Sequence, residues 1–275
     1  MRSLQGTVVA ITGGARGIGA ATARTLAAQG ARVAIGDLDL DLARQTAQAI
    51  GSGTVALPLD VTDRESFRGF LDDTERLLGA VDVLINNAGI MPLGRLDEMG
   101  EPTVDRILEI NLAAVLFGTR EAMRRMRARG RGHIVNVASF AGKAGIAGGA
   151  AYCASKHGVV GLSEAVLGEL RGSGVDISVV MPTIVRTELA AGLRETRLSS
   201  QVAPEDVAAA IVATLRRPRF EVYVPRYLGV TMKITRVLPH RVGLWIGRAS
   251  HTDAVFTDAL AAPERVAYEK RASAS

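Results

Sequence analysis

The stretch Thr7-Val-Val-Ala-Ile-Thr-Gly-Gly-Ala-Arg-Gly-Ile-Gly19 decides the fold. Residues 7–11 are a short apolar, β-branched run of the kind that forms a buried strand. Thr12 to Gly19 follow it directly and open a segment of helical composition at 17–29. Glycines at 13, 17 and 19 carry no Cβ, so the chain can turn tightly and a pyrophosphate can approach the backbone. Exposed N–H groups and a helix N-terminus then favour its negative charge. A glycine-rich loop alone is a weak signal; the strand before it and the helix after it supply the context that gives it meaning. Gly13, Arg16, Gly17, Ile18 and Gly19 are therefore expected at a bound dinucleotide.

The same alternation continues outward. Strand candidates recur at 32–37, 54–59, 81–86, 133–138 and 175–181, with a weaker one at 221–224. Helical segments at 39–50, 63–78, 111–129 and 150–171 separate them. Strands that alternate with helices pair in parallel through crossovers. Nearly continuous apolar strands suit a sheet covered on both faces. The expectation is an α/β, doubly wound Rossmann fold with a seven-stranded, mostly parallel sheet.

Asp37 ends the second strand, 18 residues after Gly19. A carboxylate there accepts hydrogen bonds from ribose hydroxyls and repels a 2′-phosphate. Arg16 pulls the other way, since it could pair with that phosphate. Asp37 also reads as a helix N-cap, in a cluster with Asp39 and Asp41. The balance favours NAD, with NADP as the alternative.

Composition sets the remaining limits. A chain of 275 residues buries enough surface to fold without disulfides or metal. The single Cys153 excludes an intramolecular disulfide and any multi-Cys zinc site, and the four His show no metal spacing. No metal is expected. With no apolar run of about 18 residues and no leader-like N-terminus, the chain reads as cytoplasmic. The net charge of +5 is uneven. Residues 1–215 hold 22 Lys/Arg and 23 Asp/Glu, whereas the last 60 hold 11 and 5. The division expected is a catalytic domain at 1–225 and a basic amphipathic extension at 226–275, packed on it. Two readings of that extension stand. It contacts a membrane surface or an anionic ligand peripherally, or it buries its apolar side at the substrate entrance or a dimer contact. The arginines at 120–131 sit at a helix C-terminus, where cations suit the dipole, so no nucleic-acid partner is expected.

Thr12–Gly19, Asn86-Asn-Ala-Gly89, Asn111, Ser139 and Tyr152-Cys-Ala-Ser-Lys156 together resemble the short-chain dehydrogenases/reductases over roughly residues 5–225. The resemblance implies a catalytic set of Asn111, Ser139, Tyr152 and Lys156. Tyr152 would be the general acid/base, and Lys156 would lower its pKa and bond the nicotinamide ribose. Ser139 would orient the substrate oxygen, and Asn111 would hold a water on a proton path. The resemblance also places Asn87, Ala88 and Gly89 on the adenosine side. It puts Asp60 at the adenine with Val61 beside it, and Val185 and Thr187 at the nicotinamide carboxamide. Thr183 stands where the family usually has Gly.

The chemistry has a physical basis. Tyr152 and Lys156 lie at i and i+4, on one helix face. A Tyr hydroxyl ionises near 10, too high for a base at neutral pH. An ammonium about 4 Å away is worth roughly 4 kcal/mol at an effective dielectric of about 20. That could lower the phenol by up to about three pK units. The loop at 141–151 is apolar apart from Lys143, which suits a lipophilic or steroid-like secondary alcohol or ketone. The family commonly forms dimers through helices equivalent to 111–129 and 150–171, so a homodimer is expected. Two rivals remain: an NADPH-preferring carbonyl reductase and a non-catalytic nucleotide-sensing protein.

Overall fold

Seven runs without a polar face become seven strands, because helices cover both sides of the sheet they form. The computed structural model describes residues 1–193 and 201–230 together with Arg265, Tyr268 and Glu269. The strands are β1 (Val8–Thr12), β2 (Arg32–Asp37), β3 (Val55–Pro58), β4 (Val83–Asn86), β5 (Gly132–Val137), β6 (Val175–Pro182) and β7 (Glu221–Val224). They lie in the order β3-β2-β1-β4-β5-β6-β7, and every neighbouring pair is parallel. The helices are α1 (Gly17–Ala27), α2 (Leu40–Ile50), α3 (Arg64–Leu78), α4 (Glu101–Leu108), α5 (Ala114–Arg129), α6 (Ala150–Glu169) and α7 (Pro204–Arg216).

Alternate residues of each strand feed two cores. Val9 and Ile11 of β1 join Leu26 of α1 and Val207, Ile211 and Leu215 of α7 on one face. Val8 and Ala10 join Phe67, Phe70 and Leu71 of α3 and Met126 of α5 on the other. Strand order reverses between β1 and β4, which opens a crevice at their carboxyl ends. The fold places whatever binds there.

Four local features differ from, or settle, the sequence expectations. The helix expected at 111–129 starts earlier, as α4, and passes through a π turn (Glu109–Ala113) into α5. The cap of α2 is Asp39, which accepts the Leu42 N–H at 3.1 Å, so Asp37 is left for other work. Asp63, not Asp60, caps α3 by accepting the Glu65 N–H at 2.8 Å. The arginine-rich end of α5 has structural partners: Arg125 reaches Asp72 and Glu75 of α3, each at 2.7 Å. Apart from 226–230, Arg265, Tyr268 and Glu269, the 226–275 extension lies outside the described residues. No helix among the described residues is long and apolar enough to cross a membrane.

Candidate active site

The site grows from a lock between β1 and β4. The Thr12 hydroxyl accepts the N–H groups of Asn87 and Ala88, both at 3.0 Å. The Asn87 carboxamide donates in return to the carbonyls of Thr12 and Gly13, at 3.0 and 2.9 Å. This draws the glycine loop onto β4 so closely that side chains are excluded. A Cβ on Gly13 would lie 2.8 Å from Ala88 Cα, and one on Gly19 would lie 2.2 Å from the Gly13 carbonyl oxygen. Gly13 also has φ +65°, in the left-handed region that suits glycine.

A cavity of about 950 Å³ opens over this loop. Gly13, Arg16, Gly17, Ile18, Asp37, Asp60, Val61, Asn87, Ala88, Gly89 and Thr187 all line it. Asp37 Oδ2 accepts the Ala15 N–H at 2.9 Å, so the carboxylate at the end of β2 also braces the loop. Arg16 does not point freely toward a ligand. It bridges Asp39 at 2.9 Å and Glu188 at 3.1 Å, tying the loop to two neighbouring segments. Asp60 accepts from the Thr62 hydroxyl at 2.7 Å and the Thr62 N–H at 2.9 Å. Partial burial pushes its carboxyl upward, but the Thr62 hydrogen bonds and the Arg106 charge outweigh this and hold it below the ordinary value. Val185 differs from the rest. Its side chain is buried in the core and takes no part in the cavity wall. Thr183, where a glycine was usual, adopts ordinary negative φ and donates its N–H to Val224 at 2.9 Å.

Beyond the cavity lie the four residues expected to carry the chemistry. Tyr152 and Lys156 stand one turn apart on α6, with Lys156 Nζ 5.8 Å from the Tyr152 ring centroid. Lys156 Nζ donates to the Val137 carbonyl at 3.1 Å, at the end of β5. Ser139 follows that strand, and its hydroxyl accepts the Ala141 N–H at 3.1 Å. Asn111 sits in the π turn and is fully buried. It accepts the Ile90 N–H at 2.9 Å and donates to the Ile90 carbonyl at 2.8 Å and to Ser155 at 3.3 Å. A Cβ on Gly89 would be 3.1 Å from Asn111 Oδ1 and 3.6 Å from Lys156 Nζ, so these groups converge on one point.

Electrostatics here runs against the expectation from spacing. Burial pushes the Tyr152 phenol up to about 12, while the nearby Ser139 hydroxyl and the Arg265 charge pull the other way. Burial also draws the Lys156 ammonium down to about 8. In the protein alone, burial dominates and holds the Tyr152 phenol above its ordinary value.

Sequence reasoning missed a group of residues from the C-terminal segment. Tyr268 is 5% exposed, lines the end of the cavity, and accepts the Met91 N–H at 2.9 Å. Glu269 accepts the Leu93 N–H at 3.2 Å, and Arg265 is fully buried. No motif marked them. An apolar cluster of Met91, Leu93, Ala141, Cys153, Ala190 and Leu193 surrounds Tyr152. Lys143, the one charge in the 141–151 loop, is turned away onto Glu164 and Glu221 at 3.0 and 3.1 Å.

Comparison with known proteins gives a consistent picture. Residues 7–198 match the family model described as short chain dehydrogenase. A sorbitol dehydrogenase of Cereibacter sphaeroides is 39% identical over 67% of this chain and 73% of its own. A 3-alpha-(or 20-beta)-hydroxysteroid dehydrogenase of Mycobacterium tuberculosis is 32% identical over 76% of this chain and 82% of its own. Among solved structures, a short chain dehydrogenase/reductase from Burkholderia phymatum in complex with NAD superposes with a TM-score of 0.78. It is 27% identical and covers 85% of this chain and 94% of that one.

Burial predicts how Tyr152 titrates. In the protein without cofactor, the difference in 295 nm absorbance between wild type and Tyr152→Phe should stay flat up to about pH 10.5, past the ordinary phenol value. A Tyr152 transition near pH 8 in that difference would show that Lys156 outweighs burial.

Proposed function

The chain belongs to the short chain dehydrogenases, and from this premise we propose that it is an NAD-dependent oxidoreductase that interconverts a lipophilic secondary alcohol and its ketone. One observation carries the reading: Tyr152 and Lys156, one turn apart on α6, stand with Ser139 next to a glycine-cradled cavity ending in a carboxylate.

A nicotinamide dinucleotide fits the residues present. The loop leaves no room for a Cβ at Gly13 or Gly19, and the start of α1, Gly17 and Ile18, lines the cavity. Gly13 to Gly19 would hold the pyrophosphate, Asp37 the adenosine ribose, and Asp60 with Val61 the adenine. Asn87 to Gly89 and Thr187 would line the path to the nicotinamide. When bound, the cofactor supplies the hydride acceptor for oxidation or the donor for reduction. NAD is favoured over NADP because Asp37 faces the ribose position, while Arg16 is already engaged by Asp39 and Glu188.

In the proposed mechanism the protein positions the substrate oxygen and moves one proton. Ser139 Oγ holds that oxygen beside the Tyr152 hydroxyl. In oxidation Tyr152 Oη takes the hydroxyl proton; in reduction it returns one. A phenol kept neutral by burial is ready for the reductive direction. In oxidation, the positive charges of Lys156 and of the oxidised nicotinamide would be what draws the phenol down. Lys156, held by Val137, would have its remaining donors for the nicotinamide ribose. Asn111, fixed from both sides by Ile90, completes the proton path behind Lys156. The apolar cluster around Tyr152 supports a lipophilic substrate, and relatives that act on polyols and on hydroxysteroids keep the class of alcohol broad.

A homodimer is part of the proposal. Leu116 on α5 and Leu167 on α6 are 48% and 41% exposed, on the two helices that would form the contact.

Three measurements test these readings. Steady-state kcat/KM should favour NAD over NADP by about 100-fold, and Asp37→Ala should narrow the gap through loss of carboxylate repulsion; an NADPH preference that survives Asp37→Ala would overturn the choice. Tyr152→Phe should retain NAD binding and lose turnover by at least about 10³-fold; a non-catalytic sensor would show no turnover in wild type on any alcohol or ketone. Sedimentation equilibrium should give twice the chain mass, and Leu116→Glu with Leu167→Glu should give the monomer.

A further inference from the structure

We infer that Arg265, Tyr268 and Glu269 form a strap across the substrate entrance, which shuts Tyr152 away from solvent and must be released for an alcohol or ketone to reach it. The inference rests on the dehydrogenase reading above and adds to it the step that admits substrate.

Two parts of one site are in different states. The cavity that would take the dinucleotide is open, yet Ser139, Tyr152 and Lys156 are not among its lining residues. Tyr152 is 8% exposed and Lys156 4%. At this end the cavity wall is built by Ile90, Leu189 and Tyr268. A substrate oxygen has to come within hydrogen-bond reach of the Tyr152 hydroxyl for a proton to pass.

The strap joins two segments that pack around Tyr152. Met91 and Leu93 on one side, and Ala190 and Leu193 on the other, share one apolar cluster with Tyr152, and Leu189 packs against it. Tyr268 Oη accepts the Met91 N–H at 2.9 Å, and Glu269 Oε1 accepts the Leu93 N–H at 3.2 Å. Pro92 between them has no N–H, so the strap takes every backbone donor of residues 91–93. Toward the second segment, Arg265 Nη1 donates to the Leu189 carbonyl at 2.8 Å. The three strap residues stand at i, i+3 and i+4, on one helical face. Arg265 Nε donates to Glu269 at 3.0 Å, and the guanidinium lies 4.7 Å from the Tyr268 ring centroid. They act as one piece, and one piece bonded to both segments ties them together.

The hold is of a kind that releases. Hydrogen bonds to a few backbone groups are a modest fastening beside two apolar cores, and elements fastened in this way open locally before the domain unfolds. The closed arrangement also carries a cost. Among the described residues, Arg265 Nη2 is buried with no hydrogen-bond partner, and release returns it to water. Closing again over a bound substrate keeps bulk water from the reaction.

The chain's single cysteine reports the opening, because Cys153 is 6% exposed and lies in the same cluster, next to Tyr152. Labelling of the full chain by N-ethylmaleimide is followed in urea up to about 1 M. Local release of the strap gives a wild-type rate that hardly changes over this range. A rate that climbs steeply from the first addition means exposure only by global unfolding, and would overturn the inference. Arg265→Met combined with Glu269→Ala should label at least about 10-fold faster, with the same shallow urea dependence; a rate equal to wild type would also overturn it. With NAD, the double variant should oxidise 2-decanol with kcat/KM at least about 5-fold higher, mainly through KM, because apparent affinity scales with the open fraction. Faster labelling with kcat/KM unchanged or lower would show that substrate does not enter beneath the strap. If the double variant fails to fold, the urea dependence of wild type decides. If neither protein turns over 2-decanol, cyclohexanol or their ketones although NAD binds, the dehydrogenase reading falls, and the labelling still decides whether the strap opens.

Discussion

The Thr12 hydroxyl is the point on which the site depends. In a parallel sheet whose strand order reverses, neighbouring strands part at their carboxyl ends, and the chain leaving each one must be told where to go. Thr12 accepts two successive N–H groups from beyond β4, and Asn87 returns two hydrogen bonds to the carbonyls beyond β1. Four bonds between two strand ends fix the mouth of the crevice. The glycine loop, Asp37 through Ala15, and Gly89 beside Asn111 all take their positions from it.

Much of this was legible in the sequence, for a physical reason. Strands buried on both faces leave nearly unbroken apolar runs, and six were visible that way, with Glu221–Val224, less buried, a weaker seventh. The turn after β1 was legible because only glycine tolerates its crowding. Tyr152 and Lys156 were legible because helical periodicity alone puts i and i+4 together. What escaped depends on contacts distant in the chain. Asn111 showed only as a polar residue out of place in a helix, with no sign that a π turn would aim it at Ile90. Val185, expected at the ligand, turns its side chain into the core, which its sequence neighbourhood does not signal. Arg265 and Tyr268 lie more than 100 residues from Tyr152 and carry no local pattern.

The misjudged quantity was desolvation. Spacing places an ammonium near a phenol, and Coulomb's law then pulls the phenol down. Sequence cannot show how much water remains between them. In the folded chain both groups are buried, and each moves toward its neutral form: the phenol upward, the ammonium downward. The pair is therefore held ready, and a positive charge arriving beside it is what would tip the phenol toward its anion. The protein's contribution is the dry setting, and the sensitivity of Tyr152 to its surroundings follows from that setting.

The π turn between α4 and α5 acts as a phase shifter. One extra residue per turn rotates everything that follows by about 100° around the helix axis relative to an uninterrupted α-helix. A single helical rod can then satisfy two unrelated angular demands. Ile107 before the turn is fully buried, Val115 and Phe117 after it enter two different apolar clusters, and Asn111 turns its carboxamide to Ile90. Deleting one residue from 109–113 would regularise the hydrogen bonding and still ruin the rod, because one of its halves would present its polar side to the core. The irregularity is thus constrained from both ends, and its length of five residues is as much a part of the design as the identity of the asparagine within it.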